Sequence, residues 1–346
     1  MESKLTISVA IATYNRAAMV RNTVEAALAQ SRPPIEVVVA DDASTDATAE
    51  VLATLARGDS RVRVLRQPKN SGGVGNWNLA MRETSGDLIA WCSDDDWFRP
   101  GHLEESAAFL EAHPEVGLVH SHFVDFVESP LGDATEFRRQ RSPRPLWTNA
   151  KNLLRYLNRY YDWPFHPSTI VMRRRVWEEV GAFDPGYQLA DTDWFVRAVE
   201  RFPAVLLPRY GVNNRRHVGN WSNRVGSARM QREIFEIVER SLHRHWPRWT
   251  LGRSFWKFVW RMNVRLRLLL TLCARIRGGH ADAAYAAWSA FCTSTGRSMP
   301  EWIAAKGDAL IRARLDRFAT SSASSADGRG SLGRPLPGSG PSVRPL

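Results

Sequence analysis

The chain has 346 residues, 44% of them apolar, and a formal net charge of +11. This length fits one α/β domain of about 200–250 residues plus an appendage, and the apolar content argues against global disorder. Its three cysteines, Cys92, Cys273 and Cys292, are far apart and match no disulfide framework or metal spacing. With no signal-peptide pattern and no apolar run long enough to span a bilayer, the sequence predicts a cytoplasmic protein.

Strands and helices alternate over the first 130 residues. Strands separated by helices of about 10–15 residues predict an α/β fold with a mostly parallel sheet and helices on both faces. Ligands of such sheets bind at the carboxyl ends of the strands, so polar residues that directly follow a strand are the candidate site residues. Apolar runs and helical spacing predict strands at 6–12, 36–40, 61–65 and 87–92, and helices at 17–30, 46–57 and 75–83.

The pattern is less regular beyond residue 100, and only helices are predicted after residue 224. The segment 128–145, rich in Pro, Arg and acidic residues, is predicted to be a loop. From residue 319 the composition shifts to Ser, Gly, Pro and Arg, which predicts a disordered tail. The predicted organisation is a domain at 1–225, a basic helical region at 226–318 and the tail at 319–346. Further elements are predicted as helices at 100–112, 174–180 and 191–200 and strands at 116–121 and 169–172.

Three consecutive carboxylates, Asp94, Asp95 and Asp96, directly follow the fourth predicted strand. Adjacent like charges repel, and Mg²⁺ or Mn²⁺ would relieve that repulsion while leaving positions for substrate phosphates. The alternative is an acidic, solvated turn in which Asp96 caps the next helix. The position at a strand end favours the metal site.

Two further polar clusters follow the first and second strands. Tyr14, in Thr-Tyr-Asn-Arg after the first strand, could stack on a nucleobase, although a single Tyr at a strand end is more often packing. After the second strand, Asp41 or Asp42 could accept a hydrogen bond from a base N–H. The alternative is that these acids, with Asp46, are turn and cap residues.

The order of these motifs resembles glycosyltransferase family 2, an inverting family with the GT-A fold. The resemblance covers residues 5–225. Two positions depart from the family's pattern, with Ser93 where Asp is frequent and Ala190 where Glu is frequent. The resemblance is carried by the three clusters above and by further segments. These are Asn-Ser-Gly-Gly at 70–73, Ser-Gly-Asp at 85–87, Val-Gly-Ala-Phe-Asp at 180–184, Ala-Asp-Thr-Asp-Trp-Phe-Val-Arg at 190–197, and His217.

The resemblance implies an enzyme that moves a sugar from a nucleotide diphosphate-sugar, commonly a UDP-sugar, to a hydroxyl acceptor in polysaccharide or glycoconjugate biosynthesis. It implies Mg²⁺ or Mn²⁺ as cofactor, with Asp95 as its ligand. Trp163, His166 and Trp221 are further candidates for an acceptor pocket. The implied roles are general base for Asp191, metal binding for Asp95, Asp96 and His217, and nucleotide-sugar binding for Ala12, Tyr14, Asp42, Asp94 and Arg216.

The charge of the chain is concentrated in its C-terminal part. Residues 201–346 hold 25 Lys/Arg and 8 Asp/Glu, and residues 240–281 hold ten Lys/Arg with no acidic residue. Basic residues recur every four positions from Arg253 to Arg265, which predicts a basic stripe on an amphipathic helix. This helix could lie on an anionic membrane at the inner face, with a lipid-linked acceptor, or it could pack on the catalytic domain.

Two other function classes are alternatives to the transferase. A sugar nucleotidyltransferase on the same fold would need a Gly-rich basic loop after the first strand, and the turn at 13–16 has no glycine. A nucleic-acid or anionic-surface binding protein fits the charge. However, the chain carries no recognised nucleic-acid motif, and its basic region is rich in Leu and Trp. The sequence therefore favours a nucleotide-sugar donor and no nucleic acid.

Overall fold

The computed structural model describes residues 4–128, 134–138, 142–149, 152–153, 166–217 and 228–245. Over these ranges the chain forms one ten-stranded sheet and seven α-helices. The strands are β1 (Ile7–Thr13), β2 (Glu36–Asp41), β3 (Val62–Arg66), β4 (Leu88–Ser93), β5 (Trp97–Phe98), β6 (Leu118–Glu128), β7 (Ala134–Arg138), β8 (Leu146–Thr148), β9 (Val171–Arg173) and β10 (Ala204–Arg216). The helices are α1 (Ala17–Leu28), α2 (Thr48–Gly58), α3 (Gly73–Arg82), α4 (His102–Ala112), α5 (Arg174–Val180), α6 (Ala190–Arg201) and α7 (Ala228–His245).

The first half of the sheet is parallel, in the order β3-β2-β1-β4. All residues of β1 and β2 are buried, as expected for strands covered on both faces. Since parallel strands end at the same edge, the residues that follow β1, β2 and β4 all lie at one edge of the sheet. This is the edge at which the sequence predicts the site.

Helices cover both faces of the sheet and form two separate apolar cores. In β1, Val9 and Ile11 join the core under α1, α2 and α4, whereas Ala10 between them joins the core under α3, α5, α6 and α7. This alternation follows from the two-residue period of a strand. The predicted α/β fold with helices on both faces is confirmed.

The second half of the sheet mixes strand directions. β9 lies antiparallel between β4 and β6, and β10 lies parallel to β6. Two antiparallel steps restore the original direction, so β6 and β10 run the same way as β4. The carboxyl end of β10 therefore reaches the same edge as the carboxyl ends of β1, β2 and β4.

One sequence prediction fails in this half, and the strands β5, β8 and β10 were not predicted. Residues 134–138, predicted to be part of a loop, form β7 and pair antiparallel with β6. β10, the longest strand, was not predicted, because Pro208 and Gly211 interrupt its apolar pattern. The register between β10 and β6 shifts between Leu207 and Tyr210 and again between Tyr210 and Val212, which is how the strand accommodates these residues.

After residue 224 the sequence predicts only helices, and α7 confirms this over the part of that region that the structure describes. The basic stripe from Arg253 to Arg265 and the tail from residue 319 lie outside the described residues. Among the residues that are described, no helix is both long and apolar enough to cross a membrane.

Candidate active site

The end of β10 runs beside the turn that holds the three carboxylates. β5 directly follows Asp96 and pairs antiparallel with β10, with Trp97 opposite Asn213. This pairing brings His217, the residue after β10, to Asp95, so that His217 Nε2 lies 3.0 Å from Asp95 Oδ2. Both side chains are largely buried, with 16% and 14% of their surfaces exposed. Two residues assigned to one metal from sequence therefore meet, although they are 122 positions apart.

Arg215 connects β10 to the turn formed by Asp94, Asp95 and Asp96, which is called the acidic turn below. Its backbone N–H donates to Asp96 Oδ1 at 3.2 Å, and its Nε donates to the backbone carbonyl of Asp95 at 3.3 Å. The guanidinium carbon lies 4.9 Å from the ring centroid of Trp97, which is a cation–π contact. These contacts fix the strand end from which His217 projects.

Asp96 is buried, whereas Asp94 and Asp95 are partly exposed. Ser168 Oγ donates to Asp96 Oδ2 at 2.5 Å, and Nδ1 of His166 lies 3.5 Å from the same oxygen. Burial, reinforced by the charge of Asp95, raises the pKa of Asp96 well above its usual range. With its oxygens held by Ser168 and by the backbone of Arg215, Asp96 is placed to support the turn, while its part in metal binding stays a prediction.

Asp94 faces the corner at the end of β1. Burial raises the pKa of Asp94 to about 7, and the neighbouring charge of Asp95 acts in the same direction. The positive charge of Arg16 and a hydrogen bond from the backbone N–H of Tyr14 oppose that rise. The three carboxylates after β4 and the Tyr14 cluster after β1 thus form one continuous surface.

The corner after β1 has a fixed backbone and an accessible ring. Asn15 adopts the left-handed region at φ 52°, and its Oδ1 accepts a hydrogen bond from Thr45 N at 2.8 Å. Tyr14 is 44% exposed, as a side chain that stacks on a ligand must be. Ala12 is buried in β1 and pairs with Ser93 of β4, so it contributes backbone to the floor of the site.

Asp42 is 1% exposed, and both of its oxygens already accept hydrogen bonds. Oδ1 accepts from Gln67 Nε2 at 2.9 Å, from Ser71 N at 2.7 Å and from Ser71 Oγ at 2.9 Å. Oδ2 accepts from Gly72 N at 2.9 Å. The carboxylate therefore anchors the loop before α3, a role that was not predicted, while its contact with a base stays a prediction.

Asp191 lies in the first turn of α6, and its Oδ1 accepts a hydrogen bond from Thr192 N at 2.7 Å. Burial raises the pKa of Asp191 to about 6. α6 ends at Arg201 and β10 begins at Ala204, so the helix runs back along the sheet, and Phe195 packs against His120 of β6. The first turn consequently points toward the edge where β10 ends.

Arg216 is 39% exposed and lies next to a carboxylate that the sequence did not single out. Its Nε is 3.8 Å from Asp125 Oδ1, which also accepts a hydrogen bond from Asn214 Nδ2 at 2.6 Å. Thr23 was also missed, and its Oγ1 donates to the backbone carbonyl of Asp96 at 2.6 Å. A carboxylate within a strand and a threonine within a helix carry no local sequence signal for such roles.

The described residues contain no group of three or more His, Cys, Asp or Glu side chains that could hold a metal ion. The pair of Asp95 and His217 still fits Mg²⁺ or Mn²⁺ at a shared site, because such ions are bound by one or two protein ligands together with substrate phosphates and water. Trp163 and Trp221 lie outside the described residues.

Comparison with known proteins agrees with this architecture. The family model described as glycosyl transferase family 2 matches residues 8–181. An uncharacterized glycosyltransferase, YwdF of Bacillus subtilis, is 30% identical over 207 residues, which are 58% of this chain and 71% of the relative. The putative teichuronic acid biosynthesis glycosyltransferase TuaG of the same organism is 32% identical over 104 residues, which are 30% of this chain and 41% of TuaG.

Solved structures share the fold at low sequence identity. The crystal structure of S. aureus TarS 1-349 in complex with UDP-GlcNAc aligns with a TM-score of 0.58 at 17% identity and covers 94% of this chain and 92% of that one. The complex of the same protein with UDP aligns with a TM-score of 0.55. From the family match over half of its length, the chain belongs to glycosyltransferase family 2.

Proposed function

We propose that this chain is a metal-dependent, inverting glycosyltransferase that moves a sugar from a UDP-sugar to an acceptor hydroxyl in polysaccharide or glycoconjugate biosynthesis. The observation that carries the proposal is the 3.0 Å contact between His217 and Asp95 at the edge where β1, β2, β4 and β10 end. A carboxylate and a histidine contributed by distant parts of the chain, beside an exposed Tyr14, form a surface suited to a metal, a diphosphate and a base.

The donor is proposed from the chemistry of this edge and from the solved relatives. Arg16 and Arg215 supply positive charge next to Asp94 and Asp95, and Arg216 supplies it beside Asp125, as a diphosphate requires. The exposed ring of Tyr14 offers a flat face for a pyrimidine. The TarS structures with UDP-GlcNAc and UDP support uracil as the base.

Asp95 and His217 would hold the metal, together with oxygens of the donor diphosphate. When bound there, Mg²⁺ or Mn²⁺ would supply a Lewis acid that neutralises the charge developing on the leaving nucleoside diphosphate. Asp96, held by Ser168 and the backbone of Arg215, keeps the turn that presents Asp95 in place. Asp94 lies on the side of this turn that faces Tyr14.

Asp191 is the proposed general base. In an inverting transfer, the acceptor oxygen bonds to the anomeric carbon as the bond to the diphosphate breaks, and the hydroxyl proton passes to the base. A pKa of about 6 leaves the carboxylate deprotonated at neutral pH and close to the value at which proton transfer is most effective. General bases of this kind contribute about 10²–10⁴-fold to the rate.

The test is a nucleotide-release screen with UDP-, dTDP- and GDP-sugars, with and without Mg²⁺ or Mn²⁺, using wild type and Asp191→Asn. Glu178→Gln, an exposed carboxylate on α5, is the matched control. We expect metal-dependent release from a UDP-sugar that is lost in Asp191→Asn and kept in Glu178→Gln. Full activity of Asp191→Asn would reject the base assignment, and release from another nucleotide alone would reject UDP.

A further inference from the structure

Helix α7 lies beyond the residues matched by the family model, yet it packs on the helix that carries Asp191. Ile234, Ile237 and Val238 are buried in the same core as Trp194 and Phe195 of α6. An apolar contact of this kind attaches one helix to another, but by itself it does not fix the position of any particular side chain. The polar contacts between the two helices are more specific.

Glu233 of α7 is bonded to the start of α6. Its Oε2 accepts a hydrogen bond from Leu189 N at 2.9 Å, and the side chain is buried. Leu189 directly precedes the helix, where backbone N–H groups lack helical partners and the helix dipole favours a negative charge. This bond fixes the backbone two residues before Asp191.

Arg240, two turns further along α7, contacts the residue two positions after Asp191. Its guanidinium forms an ion pair with Oδ1 of Asp193, a carboxylate that is 1% exposed. The other oxygen of Asp193 is held by Arg197 Nε at 2.8 Å. Arg240 Nη1 also donates to Tyr187 Oη at 3.3 Å, and its guanidinium lies 5.3 Å from the centroid of that ring.

We propose that Glu233 and Arg240 are positioning residues that hold the proposed base Asp191 in its working geometry. The inference rests on the proposed function, since it treats Asp191 as the base. The positions on either side, Leu189 and Asp193, are both bonded to α7, so the first turn of α6 is held at two points. The helix after the family-matched segment is thus part of the catalytic apparatus.

α7 also offers a control that separates positioning from simple attachment. Arg244 lies one turn beyond Arg240, is exposed, and pairs with Glu200 at 3.0 Å near the other end of α6. Removing this pair weakens the contact between the same two helices without touching the first turn of α6. Positioning predicts different effects for Arg240 and Arg244, whereas simple attachment predicts similar ones.

The first experiment compares transfer rate and donor binding in Glu233→Ala, Glu233→Gln, Arg240→Met and Arg244→Met. We expect kcat to fall about tenfold or more in Glu233→Ala and Arg240→Met, because small displacements of a catalytic group are costly. The Kd for UDP with Mn²⁺ should stay within about twofold of wild type. Glu233→Gln, which keeps an acceptor oxygen for Leu189 N, should retain most of the rate, and Arg244→Met should match wild type. Equal kcat losses in Arg240→Met and Arg244→Met would overturn the proposal.

The second experiment needs no turnover, so it tests the inference even if the proposed function fails. Amide hydrogen exchange over residues 186–196 should accelerate at least about tenfold in Glu233→Ala and Arg240→Met, and should be unchanged in Arg244→Met. Unchanged exchange in the first two variants, with the fold intact by circular dichroism, would overturn the proposal. Absence of turnover in wild type, with these exchange differences present, would instead count against the proposed function.

Discussion

Replacing Asp191 by Asn should abolish transfer and at the same time stabilise the fold. Burial raises the pKa of Asp191 from 3.8 to about 6, so the folded protein disfavours the charged form. At about 1.4 kcal/mol per pKa unit, the ionised carboxylate costs at most about 3 kcal/mol at neutral pH. Since the side chain is only half-buried, solvent reduces this cost, and we expect a gain of about 1–2 kcal/mol.

The sign of the pH dependence follows from the direction of the shift. Between pH 3.8 and about 6, the folded state binds the proton more tightly than the unfolded state, so the contribution of Asp191 to stability falls as pH rises. Above about pH 6 the cost is constant. The gain in Asp191→Asn should therefore be largest at pH 7.5 and about half as large at pH 5. The hydrogen bond from Thr192 N survives, because the amide oxygen still accepts it.

The assay is thermal or urea unfolding of wild type and Asp191→Asn at both pH values, beside nucleotide release. A gain of about 1–2 kcal/mol corresponds to a rise in Tm of several degrees at neutral pH. The rate of wild type should fall below about pH 6 as the base becomes protonated. Destabilisation by the Asn variant at pH 7.5 would show that burial does not disfavour the charged form of Asp191. A wild-type rate that is flat down to pH 4.5 would show that Asp191 is not the base.

Three further predictions concern residues around the site and the core. His217→Ala should raise the Mn²⁺ concentration needed for half-maximal activity about tenfold or more, and an unchanged metal titration would contradict its role. In the nucleotide-free protein, Asp42→Asn should lower the free energy of unfolding by about 1–3 kcal/mol, because the loop at Ser71 loses acceptor positions. Unchanged stability would leave base binding as the role of Asp42. His102 is buried, and burial together with the charge of Arg209 lowers its pKa to about 3. Stability should therefore fall as pH drops from about 6.5, by about 2 kcal/mol at pH 5, and His102→Gln should reduce this slope in urea unfolding.

The parallel half of the fold could be predicted because its signals are local. β1, β2 and β4 are short apolar runs buried on both faces, and helices with clear spacing separate them. The rule that parallel strands end together then placed Tyr14 and the acidic turn at one edge without any knowledge of contacts. The hydrogen bond between the backbone N–H of Tyr14 and Asp94 agrees with that placement.

The other half depends on contacts between distant residues. β10 contains Pro208 and Gly211 and reads as irregular, and it becomes a strand because β6 accepts two register shifts. The anchoring role of Asp42 could not be seen, because it depends on the loop at 71–72 folding back onto β2. The contacts of Glu233 and Arg240 likewise exist only once α7 has packed on α6.

In the proposed site, the acidic turn and His217 bind a metal and a nucleotide diphosphate together. The most direct test is the Kd of UDP measured by calorimetry with and without Mn²⁺, in wild type, Asp95→Asn and the surface control Glu178→Gln. We expect Mn²⁺ to tighten UDP binding in wild type and in Glu178→Gln, and to have no such effect in Asp95→Asn. If Asp95→Asn binds UDP with the same Mn²⁺ dependence as wild type, the metal does not bind at this turn and the proposed site is wrong.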